Sequence, residues 1–193
     1  SVCSGVKAAV ILRPFFSFYG GKWRVAKHYP KPGKRIVEPF AGSAGYSLRY
    51  PDRDVLLIDK DPAIVATWRY LLAVTPSEVM ALPDIQPGQD VASLNATEEA
   101  RLLIGWWCNR GGTTPKRTLS AWGRQPKYAR QFWGDYARQR IAAQVEAIRH
   151  WRVMEGDYRD APAVDATWFI DPPYAHAGKH YKCSSKSIDY ADL

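Results

Sequence analysis

The tetrad Asp171-Pro172-Pro173-Tyr174 follows directly on the apolar run Trp168-Phe169-Ile170. Open α/β sheets bind ligands outside the carboxyl ends of their strands, so a strand running into this tetrad would carry it to a ligand. Two successive prolines remove two backbone donors and stiffen the loop. What remains is a set of acceptors and an aromatic face. The N6 amine of adenine calls for such a set, because its lone pair is delocalised into the ring and it is a poor nucleophile. The Asp171 carboxylate and the Pro172 carbonyl can each accept one amine hydrogen. That favours a tetrahedral nitrogen whose lone pair points at a methyl group, while Tyr174 stacks on the ring. Placed acceptors of this kind are typically worth ~100-fold or more in rate each. The structural alternative is a proline-rich turn capped by an aspartate.

Three further segments carry chemistry-bearing residues. Val37-Glu38-Pro39-Phe40-Ala41-Gly42-Ser43-Ala44-Gly45 is a small-residue turn that lets a backbone approach a ligand closely. It is not GxGxxG and lacks a P-loop lysine, which disfavours nicotinamide cofactors and ATP. A tight turn with no ligand is its structural alternative. Asp59 ends an apolar run, where an acid can accept both hydroxyls of a ribose. Its alternative role, capping the helix that Pro62 begins, suits Asp61 better. Phe18-Tyr19-Gly20-Gly21-Lys22 offers an aromatic, a flexible pair and a cation able to close over a nucleoside, or else an ordinary turn.

The elements that must position these residues follow from the apolar pattern. Residues 34–40 and 54–59 read as buried strands. A helix is expected to start after the turn at 41–45. Pro62 opens another, with Ile64, Val65, Trp68, Leu71 and Leu72 at helical spacing. Strand–turn–helix–strand–helix is the signature of a parallel α/β sheet. Residues 75–96 read as a short helix with loops, 97–108 as an apolar helix, 109–129 as loop or hairpin, and 130–149 as a helix. On that last helix Trp133, Tyr136, Ala137, Ile141, Val145 and Ile148 lie near one face, and Arg138, Arg140 and Arg149 lie off it. Residues 151–155 and 166–170 complete the set as strands.

Composition limits the partners. The chain has 193 residues and a formal charge of +8. The stretch 110–140 alone carries +7: Arg110, Lys116, Arg117, Arg124, Lys127, Arg130, Arg138 and Arg140 face one acid, Asp135. Trp122, Tyr128, Phe132 and Trp133 are interleaved. The mixture suits phosphate contact with stacking or wedging, against the alternative of a solvated basic face. Arg110, Lys116, Arg117, Arg124, Lys127 and Arg130 are the nucleic-acid-binding candidates. The three cysteines, Cys3, Cys108 and Cys183, form neither a CxxC pair nor a disulfide framework. No metal site and no membrane span are expected, and the setting expected is a reduced cytoplasm, prokaryotic or phage-like.

The four segments also occur in a recognisable order. In Phe18–Lys22, Val37–Gly45, Asp59 and Asp171–Tyr174 the chain resembles the DNA adenine methyltransferase (Dam) family. That family opens with an aromatic-x-Gly-Gly-Lys segment, continues with V-E-P-F-x-G-x-G and a strand-ending Asp, and reaches D-P-P-Y after a target-recognition insert. The resemblance implies a Rossmann-like methyltransferase sheet of residues 1–96 and 150–193, with an insert at 97–149. It implies S-adenosylmethionine as cofactor, contacted by Phe18, Lys22, Glu38, Phe40, Gly42, Asp59 and Asp171, and double-stranded DNA as partner. Asp171, Pro172 and Tyr174 would be catalytic. By the same analogy Asp157, in Gly156-Asp157-Tyr158, would sit near the cofactor's adenine, unless it is a plain turn residue. Nineteen residues follow Tyr174, where the family usually adds three more strands. The C-terminal strands are therefore expected to be missing, with the strand before Asp171 at an edge, in a truncated chain or in one whose sheet is completed by a partner or oligomer. Methylation of RNA adenine or cytosine N4, and an inactive nucleic-acid-binding module, are the competing functions.

Overall fold

A computed structural model of the chain describes residues 10–173. Tyr174 lies outside them. The described residues form an α/β fold around four parallel strands: β1 (Arg35–Glu38), β2 (Asp54–Asp59), β3 (Arg152–Glu155) and β4 (Thr167–Trp168). Four α-helices fall between β2 and β3: α1 (Pro62–Ala73), α2 (Pro76–Met80), α3 (Glu98–Trp107) and α4 (Asp135–Ala142). The sheet order is β3-β2-β1-β4, with β4 outermost on one side among the described residues. No helix among them is long and apolar enough to cross a membrane.

Parallel strands covered on both faces read as continuous apolar runs, and β2 does so. Ile36, Val55 and Leu57 turn to one face and join a core that holds Trp68, Trp106, Trp133, Phe15 and Phe16. Val37, Leu56 and Ile58 turn to the other, against Met154, Ala161, Val164 and Ala166. The larger core also takes in Leu103, Ile104, Phe132, Ala137, Ile141, Val145 and Ile148, so residues of the 97–149 stretch share one core with the sheet.

Helix α1 starts where its caps dictate. The Asp61 carboxylate accepts the Ala63 N–H at 2.9 Å and Pro62 occupies the first turn. Its far end is closed by Arg149, whose guanidinium donates to the carbonyls of Leu72 and Val74 at 2.6 and 2.7 Å. The Trp68 indole donates to the Gly42 carbonyl at 2.8 Å, which fixes the turn after β1 to the helix.

Four expectations are corrected. The segment after 41–45 forms only a 3₁₀ turn, Ser47–Arg49. Pro51 follows closely, and a proline disfavours α geometry in the residue before it, so the helix has no room to extend. The predicted helix 130–149 is α4 plus a separate 3₁₀ turn, Val145–Ile148. Between them the Gln144 side chain is drawn into two hydrogen bonds with the backbone of Arg13. Arg138 is not off the apolar face: it is 9% exposed, lies over the Trp133 ring and pairs with Asp135. The strand 166–170 shrinks to β4, with one further ladder bond from the Phe169 N–H to the Val37 carbonyl.

Candidate active site

The strand order sets where a ligand can enter. The chain moves from β1 to β2 to β3 in one direction, then crosses back to place β4 on the other side of β1. The order thus reverses at β1, and such a switch point is where open α/β sheets bind ligands, at the carboxyl ends of the strands. Phe18, Lys22, Glu38, Phe40, Gly42 and Asp171 all line a crevice there.

Each strand also delivers an acid to this end of the sheet, and β3 delivers a second, its last residue Glu155. Glu38 is the last residue of β1 and Asp59 the last of β2, while Asp157 and Asp171 follow β3 and β4 by two and three residues. Lysines balance two of them. Lys22 Nζ lies 2.7 Å from Asp171 Oδ2 and also donates to the Gly20 carbonyl at 3.0 Å. Lys60 pairs with Asp157.

Glycines bring the 18–22 segment onto the turn. A Cβ on Gly45 would lie 2.5 Å from the Trp23 nitrogen and 3.0 Å from backbone atoms of Lys22, so the two loops pack backbone on backbone. Gly42 adopts φ +46°, and a Cβ there would lie 3.0 Å from the Phe18 ring. These two contacts put Phe18 over the turn and Lys22 across the mouth of the crevice.

Glu38 is buried, and one of its oxygens accepts both the N–H and the hydroxyl of Ser47, at 2.7 and 2.5 Å. Burial pushes its pKa up to about 7; the two Ser47 bonds oppose the rise and the nearby Asp171 charge adds to it. Asp59 is turned toward backbone. Its oxygens accept the N–H groups of Gly42 and Asp61, each at 2.9 Å. Enclosure raises its pKa to about 6 against those bonds. Asp59 thus joins the end of β2 to the turn after β1, beside the crevice rather than on its wall.

Asp157 also builds structure. It caps the turn Tyr158–Asp160 by accepting the Arg159 N–H, and it takes the Arg159 Nε at 2.9 Å. Its hydrogen bond to Arg159, then that to Lys60, holds its carboxyl well below the usual carboxylate range. Phe40 stacks on Tyr158 with centroids 5.5 Å apart, linking the crevice to this flank. Pro172 lies between Asp171 and Pro173, and Pro173 lines the crevice.

The basic residues of 110–140 do not form one patch. Arg110 and Arg130 face a cleft beside the crevice. Lys116 and Arg117 line a separate depression, and Arg117 pairs with Asp90. Arg124 holds Asp84 at 2.7 Å and donates to the Trp133 carbonyl at 3.2 Å. Lys127 lies over the stacked Trp122 and Tyr128 rings. Phe132 and Trp133 are buried, so Trp122, at 58% exposure, and the half-buried Tyr128 and Tyr136 are the aromatics of this segment at the surface. Three more arginines line the same cleft: Arg140, which belongs to the basic stretch, and Arg13 and Arg24, which lie outside it. Sequence reasoning missed Arg13 and Arg24, although a signal existed, since both flank the Phe18–Lys22 segment.

No group of three or more His, Cys, Asp or Glu side chains placed to hold a metal ion occurs among the described residues. A scan of protein-family models finds none that matches the chain, and a search of curated proteins finds no match.

Proposed function

We propose that the chain transfers a methyl group from S-adenosylmethionine to the N6 amine of adenine in DNA. The observation that carries this reading is the meeting of Lys22, Glu38, Gly42 and Asp171, from three separate stretches of sequence, in one crevice at the switch point between β1 and β4. A fold alone does not argue a reaction, but a site of matching chemistry does.

The residues suit such a cofactor by their donor set. Lys22 offers a cation to its carboxylate, the glycine turn gives close backbone approach, and Asp59 and Asp157 supply acids on the flank. The cofactor, when bound, supplies an electrophilic methyl group. The crevice as it stands has a volume of about 70 Å³. Sites for drug-sized ligands run to ~300–1,000 Å³. A cofactor of that size has to widen the crevice, and a carboxylate taken by Lys22 would part that lysine from Asp171. That separation frees the Asp171 carboxylate to accept an amine hydrogen at the proline-stiffened loop. It polarises the N–H bond and directs the nitrogen lone pair away from the ring. Target adenine in a duplex has to be flipped out to reach Asp171, at a cost of a few kcal/mol.

The test is transfer of label from methyl-labelled S-adenosylmethionine to duplex DNA, single-stranded DNA and RNA, with parent and Asp171→Ala proteins. Label in DNA with the parent and none with the variant supports the reading. Label in RNA alone moves the substrate class. Label in no nucleic acid, from a folded protein that binds the cofactor, refutes it.

A further inference from the structure

Arg13, Arg24, Arg110, Arg130 and Arg140 line a single cleft of about 580 Å³. Its described walls carry no acidic side chain, and none of the five guanidinium groups is ion-paired among the described residues. Elsewhere Arg35, Arg53, Arg117, Arg124, Arg138, Arg149, Arg152 and Arg159 each hold a carboxylate, and the arginines outside the cleft that hold none, such as Arg49 and Arg101, are scattered and donate to backbone carbonyls instead. The five unpaired arginines come from both sides of the Phe18–Lys22 segment and from the 110–140 stretch. The fold, not the local sequence, gathers them.

Concentrating like charge in a concave site is costly unless an anion enters, and such a cleft focuses field toward one. Arg140 marks the cost. Its Nε is buried with no hydrogen-bond partner, as are those of Arg53 and Arg124 outside the cleft, but of these three only Arg140 holds no carboxylate among the described residues. Its Nη2 is anchored on the Pro14 carbonyl and the group lies over the Trp107 ring, 5.4 Å from its centroid. Burial, and after it the charge of Arg13, lowers the pKa of this guanidinium. Buried donors without partners are rare in native proteins and ask for an explanation. Guanidinium forks match phosphate oxygens in geometry as well as charge.

The cleft shares Phe18, Gly21 and Ser43 with the crevice that holds Asp171. We infer that it is a phosphodiester site, which holds the backbone of a nucleic-acid strand so that the neighbouring nucleotide lies at the crevice. The inference rests on the function proposed above. It assigns the phosphate-binding role to Arg13, Arg24, Arg110, Arg130 and Arg140, and withdraws it from Arg117 and Arg124, which lie outside the cleft and hold Asp90 and Asp84.

The experiment is fluorescence anisotropy of a labelled 14-mer DNA, single-stranded and duplex, titrated with the full chain across a series of salt concentrations. The variants are Arg13→Gln with Arg24→Gln, both exposed, and Arg117→Ala; thermal melting confirms that each is folded. Each phosphate contact adds about one to the slope of log affinity against log salt. The double variant is expected to bind at least about tenfold more weakly, with a slope shallower by about 2. Arg117→Ala is expected to keep the parent slope. A parent that binds, with a double variant that keeps its affinity and slope, overturns the cleft and leaves the methylation reading standing. Equal losses in Arg117→Ala and the double variant also overturn it. A parent that binds neither DNA form overturns both.

Discussion

Replacing Gly45 by alanine tests whether the site is assembled by the close approach of two loops. The added Cβ would fall 2.5 Å from the Trp23 nitrogen and 3.0 Å from the Lys22 backbone, distances that no side-chain rearrangement can relieve. Gly45 does not sit at positive φ, so the penalty is steric. Overpacking of this kind costs ~1–3 kcal/mol. For a chain of this size each kcal/mol lowers Tm by roughly 2–4 °C, so a fall of about 2–12 °C is expected in a thermal melt. The function should suffer more than the stability does. The displaced backbone carries Lys22, the cation proposed to take the cofactor's carboxylate, and misplacing a positioned group by about 1 Å can cost ~100-fold in rate. Gly88→Ala is the control. Gly88 adopts φ +77° with nothing near its Cβ position, so it should lose stability by about 1 kcal/mol through backbone strain alone and keep methyl transfer. A Gly45→Ala protein that melts and methylates like the parent would refute the packing of the 18–22 segment on the turn, and with it the assembly of the crevice.

Other expectations follow from groups that the fold encloses. Glu38 is raised from 4.5 to about 7, so between those values the folded protein binds more protons than the unfolded chain and stability falls as pH rises. The loss amounts to about 3 kcal/mol by pH 8. Glu38→Gln retains an acceptor for Ser47, so its Tm should match the parent near pH 4.5 and exceed it near pH 8; parallel pH profiles would contradict this. Cys108 is buried with its thiol pushed up to about 12. Peptide mass spectrometry should find it unalkylated by iodoacetamide at pH 8 in native protein and alkylated in urea; rapid native labelling would contradict its burial. Arg124→Ala removes the bonds to Asp84 and Trp133, so it should cost about 1–3 kcal/mol in a denaturant titration and leave the salt dependence of DNA binding unchanged. A shallower salt slope at parent stability would reverse that assignment.

The parts of the fold that were legible in the sequence are those with local causes. The apolar run Val55–Ile58 with an acid at its end gave β2, and Asp61-Pro62 gave the start of α1. Long-range packing decided the rest. The helix expected over 130–149 breaks because Gln144 binds the backbone of a segment 131 residues away. Arg138 reads as a surface cation until its partners Asp84, Asp135 and Trp133 are seen around it. The crevice residues were recognisable by type, and the role of Gly45 in joining them was not, since it depends on where Trp23 and Lys22 lie. Asp59 has the residue type of a ribose acceptor, and what the type does not tell is that it also holds the backbone of Gly42 and Asp61. Charge along the sequence located a basic stretch. Only the folded positions separate the arginines gathered in one cleft from those, such as Arg124 and Arg149, that brace the fold.

Mass spectrometry of the nucleosides released from DNA tests the central claim most directly. Duplex DNA incubated with S-adenosylmethionine and the parent protein should yield N6-methyl-2′-deoxyadenosine, and Asp171→Ala should yield none while still binding DNA. Methylation at another atom, or undiminished N6 methylation by Asp171→Ala, would contradict the assignment of this crevice and its acid.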